Sequence, residues 1–420
     1  MTLLGIIQYI LGLGPTVMLP LSITIIGLIF GQGLKKAFKS GVTIGIGFVG
    51  INLVIGLLVN SLGPAAQAMV SRFGLHLTII DGGWPSAAAA TWASPVATII
   101  IPLALVVNLI MIATKTTKTM NIDIWNYWHF AAAGATIYVL THGNWVLSIA
   151  AAVIYEIVVL KVADWTAPMV QEFYGLDGIS LPTGSTASFA PLGILIGKGV
   201  SKIPGIKNLH ADPDSIQKKM GIFGEPMMMG IILGVVLGIL AGYDLGKVLQ
   251  IGMSMGGVML LLPRMVKIIM EGLIPVSESV REFLQKRFAG RELHIGLDAA
   301  LSVGHPAVMA TALILVPITI LLAIILPGNR VLPFGDLASI PFFIAFIVGA
   351  SKGNIVHSVI TGTILMALSL YMATDFAGVY TQMIQQAHFQ MPEGASQMTN
   401  FDTGGNLFNW IILKIGQIIS

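Results

Sequence analysis

The stretch YVLTHGNWVLSIA (138–150) sets a histidine, a glycine and an asparagine between two apolar runs, and IVGASKGNIVHSVI (347–360) repeats the arrangement with a lysine in the histidine's place. Backbone released from a helix at membrane depth is tolerated only where protein buries it or water reaches it. Two interruptions in nearly the same words point to two related halves, each with a broken helix turned toward a polar cavity.

That reading requires a chain that lives in lipid, and the composition supplies one. Of 420 residues, 55% are hydrophobic and 10% charged, with a mean hydropathy of +0.87. This is too little polar surface to cover a soluble globule of that size. Apolar stretches of about 20 residues, enough to span hydrocarbon, begin near Gly5, Gly41, Ser94, Asn144, Gly224, Gly246, Pro306 and Asn354. Together with shorter runs ending at the two motifs they predict an all-α polytopic membrane protein of about 10–11 crossings with re-entrant hairpins. No basic residue precedes Lys35, so the opening helix lacks the positive flank of a cleaved signal peptide and is expected to be retained.

Several function classes are excluded at once. The chain contains no cysteine, which removes disulfides, thiolate metal sites and covalent cysteine chemistry. It has no basic run interleaved with aromatics, so no nucleic-acid partner is expected. There is also no Walker loop, HExxH, nucleophile elbow or paired-carboxylate prenyltransferase signature, and no cofactor or metal is expected.

Aligned on itself at a shift of 211, the chain pairs Gly14-Pro15 with Glu225-Pro226, Met18 with Met229, Gly27 with Gly238 and LKKAFKSG (34–41) with LGKVLQIG (245–252). The register runs on to Pro64 against Pro275. An insertion around QKRFAGRELH (285–294) then moves the shift to 221, setting Trp84 against His305. A shorter loop restores 210, where HGN meets KGN and Asn126 meets Asp336. The order of these matches, more than any one of them, argues for duplication. The expected organisation is a first repeat over 1–162, a linking segment with a basic loop over 163–222, a second repeat over 223–385 and a C-terminal segment over 386–420.

Loop charge orients the repeats, because cytoplasmic loops collect Lys and Arg. The segment after the opening helix holds Lys35, Lys36 and Lys39, and the next, SLGPAAQAMVSRFGLH, only Arg72. In the second half the first loop offers Lys247 alone, and SVREFLQKRFAGRELH holds Arg281, Lys286, Arg287 and Arg291. The positive segment has changed ends, as an inverted repeat requires. This puts the N-terminus outside, with Lys115, Lys118, Lys198, Lys202, Lys207, Lys218 and Lys219 cytoplasmic.

Inverted repeats with broken helices are a common transporter plan, with substrate held near the midplane. Candidate binding groups follow from polar residues in apolar surroundings. His142, Asn144 and Asn354 belong to the two opening motifs. IIDGGWPSAAAATWASP (79–95) adds Asp81 and Trp84, and GLDAALSVGHPAVMATA (296–312) adds Asp298 and His305, each segment suiting a re-entrant hairpin. Glu225, beside a proline at a helix start, suits capping by charge as well as binding. His129, among the aromatics of IWNYWHF, reads as an interfacial belt residue. DWTAPMVQEFYGLDGISLPTGSTASFAP (164–191) reads as an irregular crossing or a loop folded into the cavity.

At EPMMMG, DGGWPS, ADWTAPMVQEFYGLDGISLPTGS and GLDAALSVGHPAVMATA, the chain resembles the galactitol-type membrane subunit, enzyme IIC, of the bacterial phosphoenolpyruvate-dependent sugar phosphotransferase system, over nearly its whole length. The resemblance implies a homodimeric permease of the ascorbate–galactitol superfamily in the bacterial inner membrane. It further implies a V-motif-like scaffold and a core domain that moves by an elevator-like displacement through membrane lipid. A phosphocysteine on a separate IIB protein, itself charged by an upstream IIA, then phosphorylates the sugar alcohol inside. Thr183 departs from the histidine of galactitol relatives in the ISLPxG phrase, so a related alditol or pentitol stays open. Phosphoryl transfer benefits from a base near the accepting hydroxyl, and Asp298 or His305 is the expected catalytic group. A non-phosphorylating secondary transporter would share the composition and repeat arguments.

Overall fold

The computed structural model describes residues 15–72, 78–214, 222, 225–287, 292–333, 335–387 and 396–420. Lys218, Lys219 and Arg291 of the charge argument lie outside these residues.

The first half runs α1 (Pro15–Ile29), α2 (Leu34–Arg72), β1 (Ile79–Asp81), α3 (Gly83–Trp92), α4 (Ala97–Ala113) and β2 (Thr119–Asn121). A 3-10 turn (Ile124–Tyr127) then leads to α5 (Trp128–Leu140), α6 (Trp145–Tyr174), β3 (Ile179–Ser180), α7 (Gly184–Ala187) and α8 (Ala190–Val200). The second half presents the same succession, beginning with α9 (Pro226–Leu240), α10 (Leu245–Arg287), β4 (His294–Gly296), α11 (Ala300–Val303), α12 (Pro306–Ile325) and β5 (Val331–Leu332). It continues through a 3-10 turn (Leu337–Ser339), α13 (Ile340–Ala350), α14 (Ile355–Gln386), β6 (Gln397–Thr399), α15 (Phe401–Gly404) and α16 (Leu407–Ile419).

Among the described residues α6, α12 and α14, of 30, 20 and 32 residues, are long and apolar enough to cross a bilayer, and several shorter apolar helices accompany them. Helices α2 and α10, of 39 and 43 residues, reach about 60 Å at 1.5 Å per residue, roughly twice the hydrocarbon thickness. A helix of that length that crosses a bilayer continues beyond its lipid core. The segments expected as loops around Arg72 and Arg281 are instead the ends of these helices. Their polar composition is that of a helix projecting into water, which keeps its internal hydrogen bonds without needing an apolar face.

Helices α1, α2, α9 and α10 pack chiefly against one another. Small residues let α2 and α10 approach closely. An added Cβ would clash at Gly47 with Ile269, at Gly50 with Met265, and at Gly272 with Ile44 and the Ser40 carbonyl. These pairings make the two helices antiparallel, so the start of α2 lies beside the end of α10. At the opposite end Arg72 Nη1 donates to the Ile239 and Leu240 carbonyls at 2.9 and 3.0 Å, closing the last turn of α9.

The remaining elements surround two three-stranded parallel sheets, ordered β5-β1-β6 and β2-β4-β3. The all-α expectation is amended here. Strands of two or three residues leave no alternating run for a sequence reading to find. Each middle strand belongs to one half and both its neighbours to the other. The pairing satisfies extended backbone inside the protein, as non-helical chain at membrane depth requires; Ile79, Thr119 and Thr399 are wholly buried. Asp164 on α6 anchors the second sheet by accepting from Thr117 Oγ1, Thr119 Oγ1 and Lys118 N at 2.9–3.0 Å. At the same end Lys118 pairs with Glu292 at 2.8 Å. The lysine holds the Glu292 carboxyl below its usual range, so its contribution is lost as pH falls through that lowered value. Both groups are exposed, which keeps the contribution small.

The two opening motifs are helix corners. His142 and Lys352 have φ of 52° and 53°, and Gly143 and Gly353 of 96° and 77°. Gly143 N donates to the Tyr138 carbonyl and Gly353 N to the Val348 carbonyl, at 2.8 and 2.9 Å, closing one helix in the left-handed manner. The asparagine then opens the next. Asn144 Oδ1 accepts from Leu147 N, and Asn354 Oδ1 from Val356 N.

Candidate functional site

The strand ends deliver two short turns into the protein interior. After β1, Asp81 Oδ1 accepts from Gly83 N at 3.0 Å and starts α3. After β4, Asp298 Oδ1 accepts from Ala300 N at 2.8 Å and starts α11. Their second oxygens reach across to the 3-10 turns, Asp81 Oδ2 to Asp336 N at 2.8 Å and Asp298 Oδ2 to Asn126 Nδ2 at 2.9 Å.

One hydrogen-bonded chain joins the two turns. Asn126 Nδ2 also donates to both oxygens of Asp123, which accepts from Thr183 Oγ1 at 3.0 Å. Thr183 Oγ1 in turn accepts from Ala299 N at 2.8 Å, fastening the ISLPTG phrase to the Asp298 turn. His129, at the start of α5, contacts the Asn126 carbonyl through Nδ1 at 2.9 Å. Its Nε2 contacts Asp402 Oδ1 at 2.9 Å and Ser185 Oγ at 3.0 Å. Ser185 Oγ donates to Asp402 Oδ2 at 2.6 Å. Asp402 N and Phe401 N donate to Asp336 Oδ2, and Trp84 N to Asp336 Oδ1, at 2.8–3.0 Å. The glycine of ISLPTG is required by this packing, since a Cβ at Gly184 would sit 2.4 Å from the His129 ring.

The two ends of this chain differ in kind. Around Asp81 and Asp336 the carboxylate oxygens are held by backbone N–H groups and both side chains are fully buried. Such an end builds structure. Around Asp298 side chain meets side chain, and Asp298 itself is half-buried. Asn126 and Ser185 retain 9% and 8% exposure, and the buried Thr186 Oγ1 beside Ser185 has no partner among the described residues. Carboxylate, amide, hydroxyl and imidazole groups there can trade partners with an incoming molecule. Together they offer the mixed donors and acceptors that a compound rich in hydroxyls demands.

Of the residues expected at the site, Asp81, Trp84 and Asp298 belong to this network. His142 and Asn144 are exposed on the α5–α6 corner. Asn354 is buried at the α13–α14 corner, where Nδ2 donates to the Leu209 carbonyl at 2.9 Å. Glu225 is half-buried at the start of α9 and makes no side-chain cap. His305 caps α12, its Nδ1 accepting from Ala307 N at 3.2 Å, and its ring lies 4.5 Å from that of Phe173.

Two sequence readings are corrected. Trp84 and His305 are not equivalent positions: Trp84 lies in the first turn of α3, whereas His305-Pro306 opens α12 as Ser94-Pro95 precedes α4. The shared GxP spelling misled the alignment. His129 is no belt residue, being fully buried and bonded at both nitrogens. Its aromatic neighbours pack the interior, with Trp128 stacked on it at 3.8 Å. Asp123, Ser185 and Asp402 join the network without being among the sequence candidates, as does Asp336 at its structural end. The signal was available in TNFDTGGN (399–406), whose density of polar side chains has no place against lipid.

A family model described as EIIC-GAT, PTS system sugar-specific permease component, matches residues 9–394. The PTS system galactitol-specific EIIC component of Escherichia coli (strain K12) is 44% identical over 410 residues, covering 98% of this chain and 90% of that protein. Its counterpart in Escherichia coli O157:H7 gives the same figures. A further Escherichia coli (strain K12) protein, named as a permease IIC component with no sugar specified, is 41% identical over 408 residues, covering 97% of this chain and 93% of its own length.

Proposed function

The chain belongs to the sugar-specific permease components of the phosphotransferase system, and from that premise we propose that it is a galactitol or closely related alditol permease whose substrate binds at the open end of the buried network. The observation that carries this reading is the exchangeable cluster of Asp298, Asn126, His129 and Ser185 in an otherwise apolar interior. A hexitol presents hydroxyls that both donate and accept. Its terminal hydroxyl becomes a nucleophile when its proton passes to a carboxylate or imidazole. A phosphorus–oxygen bond then forms as the phosphorus–sulfur bond of a phosphocysteine breaks, and the thiolate leaves with the partner protein. Asp298 is the proposed proton acceptor. His305 stands apart from the network, and its proposed role is at the inner mouth.

The proposed architecture is an inverted repeat. Its support is the matched order of elements, the antiparallel α2 and α10, and the exchanged middle strands. On element order each repeat extends further than the sequence suggested, to Val200 and to Ile419, absorbing the linking and C-terminal segments. Helices α1, α2, α9 and α10 are the proposed scaffold and dimer-forming part; the sheets and their helices are the moving core, in a bacterial inner membrane with the N-terminus outside. With no native cysteine, single introduced cysteines report orientation directly. Cysteines at Lys36 and Lys286 label from the cytoplasmic side, and one at His142 from the outside; opposite sidedness for Lys36 and Lys286 overturns the inversion.

The activity itself is tested in proteoliposomes loaded with phosphorylated IIB, fed by IIA and phosphoenolpyruvate, and given labelled galactitol outside. Sugar phosphate accumulating inside, dependent on IIB, is the expected result. Free galactitol accumulating without IIB identifies a secondary transporter instead.

A further inference from the structure

Apart from the buried network, a cavity of about 440 Å³ opens where the end of α6 meets the ends of α8 and α13. Asp164, next to its lining residue Trp165, anchors the sheet that carries Lys118 and Glu292, so the cavity lies at that same end of the molecule. Trp165 is half exposed in the opening, Phe173 backs the cavity, and Lys198, Lys352 and Glu172 stand around it. Among the described residues no ion pair engages either ammonium or the Glu172 carboxylate.

Volume and chemistry narrow the occupant. Small-molecule sites occupy about 300–1,000 Å³ and combine an apolar wall with a few convergent polar groups. An exposed indole offers a flat apolar face to the C–H side of a polyol, and one carboxylate accepts from its hydroxyls. Two unpaired ammonium groups are more than a neutral polyol needs, and match a doubly charged phosphate. The cavity also borders the His305 neighbourhood, since the Phe173 ring in its wall lies 4.5 Å from the His305 ring.

We infer that this cavity binds a phosphorylated polyol, the phosphate between Lys198 and Lys352 and the carbon chain against Trp165. The inference rests on the permease reading above for its choice of polyol. In that setting the cavity is a station for the product at the inner mouth, where retained ester slows the next cycle.

The test is direct binding to the purified full-length protein in nanodiscs, by calorimetry, with three probes: galactitol phosphorylated on a terminal hydroxyl, free galactitol, and inorganic phosphate. Lys198→Ala/Lys352→Ala is expected to weaken the phosphate ester about tenfold or more while changing galactitol affinity less than about twofold. Trp165→Leu is expected to weaken the ester and leave inorganic phosphate unaffected. A monodisperse elution profile and retained galactitol binding show that each variant is folded. Equal ester affinity in the wild type and the double-lysine variant overturns the inference, as does inorganic phosphate binding as tightly as the ester. Failure of free galactitol to bind the wild type overturns galactitol as the substrate instead, and the ester measurement still decides the cavity.

Discussion

Asp298→Ala reduces alditol uptake about a hundredfold or more, and Asp298→Asn about tenfold, with both variants reaching the membrane in normal amount. A hydrogen bond to a charged group is worth about 1.5–3 kcal/mol, or roughly 10- to 150-fold in an equilibrium. Asparagine keeps one acceptor for Ala300 N but must then face the Asn126 amide with its own NH₂. Alanine loses the turn as well as the acceptor. Uptake per unit of membrane-inserted protein, with galactitol binding to the purified variants, is the measurement. Wild-type uptake in Asp298→Asn sinks the assignment of Asp298 to substrate. His305→Ala separates the two expected catalytic groups: slowed phosphorylation with unchanged galactitol binding keeps a role for the inner mouth, and unchanged phosphorylation ends it.

The second large effect is on folding. Gly335→Ala lowers stability by about 3 kcal/mol or more, and the variant accumulates at a reduced level. A Cβ at residue 335 would stand 2.4 Å from Gly83 N, 2.6 Å from Gly82 C and 2.7 Å from Gly83 Cα. All three are backbone atoms in a segment held by the Gly335 N to Asp81 carbonyl bond at 3.1 Å and by Asp336. Overpacking of this kind ordinarily costs about 1–3 kcal/mol, and loss of the Asp336 contacts adds to it. Gly33→Ala is the control, with nothing within 4 Å of the added atom. Thermal unfolding of both in detergent checks the contrast, and comparable stabilities contradict it.

The class of the protein was legible in its sequence because hydropathy and small-residue packing are properties of long segments. The helix corners were legible too, as THGN and SKGN spell a left-handed closure followed by a cap. The strands were not, because two or three extended residues carry no period. The candidate network was half legible. Asp298 and Asp81 stood out as acids in apolar runs, yet nothing in the chain order told them apart. Each starts a helix with one oxygen; the other reaches the Asp336 backbone from Asp81 and the Asn126 side chain from Asp298. His129 was hidden by its neighbours, since aromatic residues flank interior and interfacial histidines alike. At the first corner Asn144 caps α6 and His142 takes a positive φ.

The exchanged strands bear on how the protein comes into being. When β1 leaves the ribosome, its neighbours at Val331 and Gln397 have yet to be made. At about 5–20 residues per second that delay is roughly a quarter of a minute to a minute. Neither half can finish its interior alone, so premature termination anywhere before residue 399 leaves a sheet incomplete and the nascent chain exposed to quality control. On the inverted repeat proposed above, a single-copy ancestor would have met the same demand by pairing with an oppositely inserted twin.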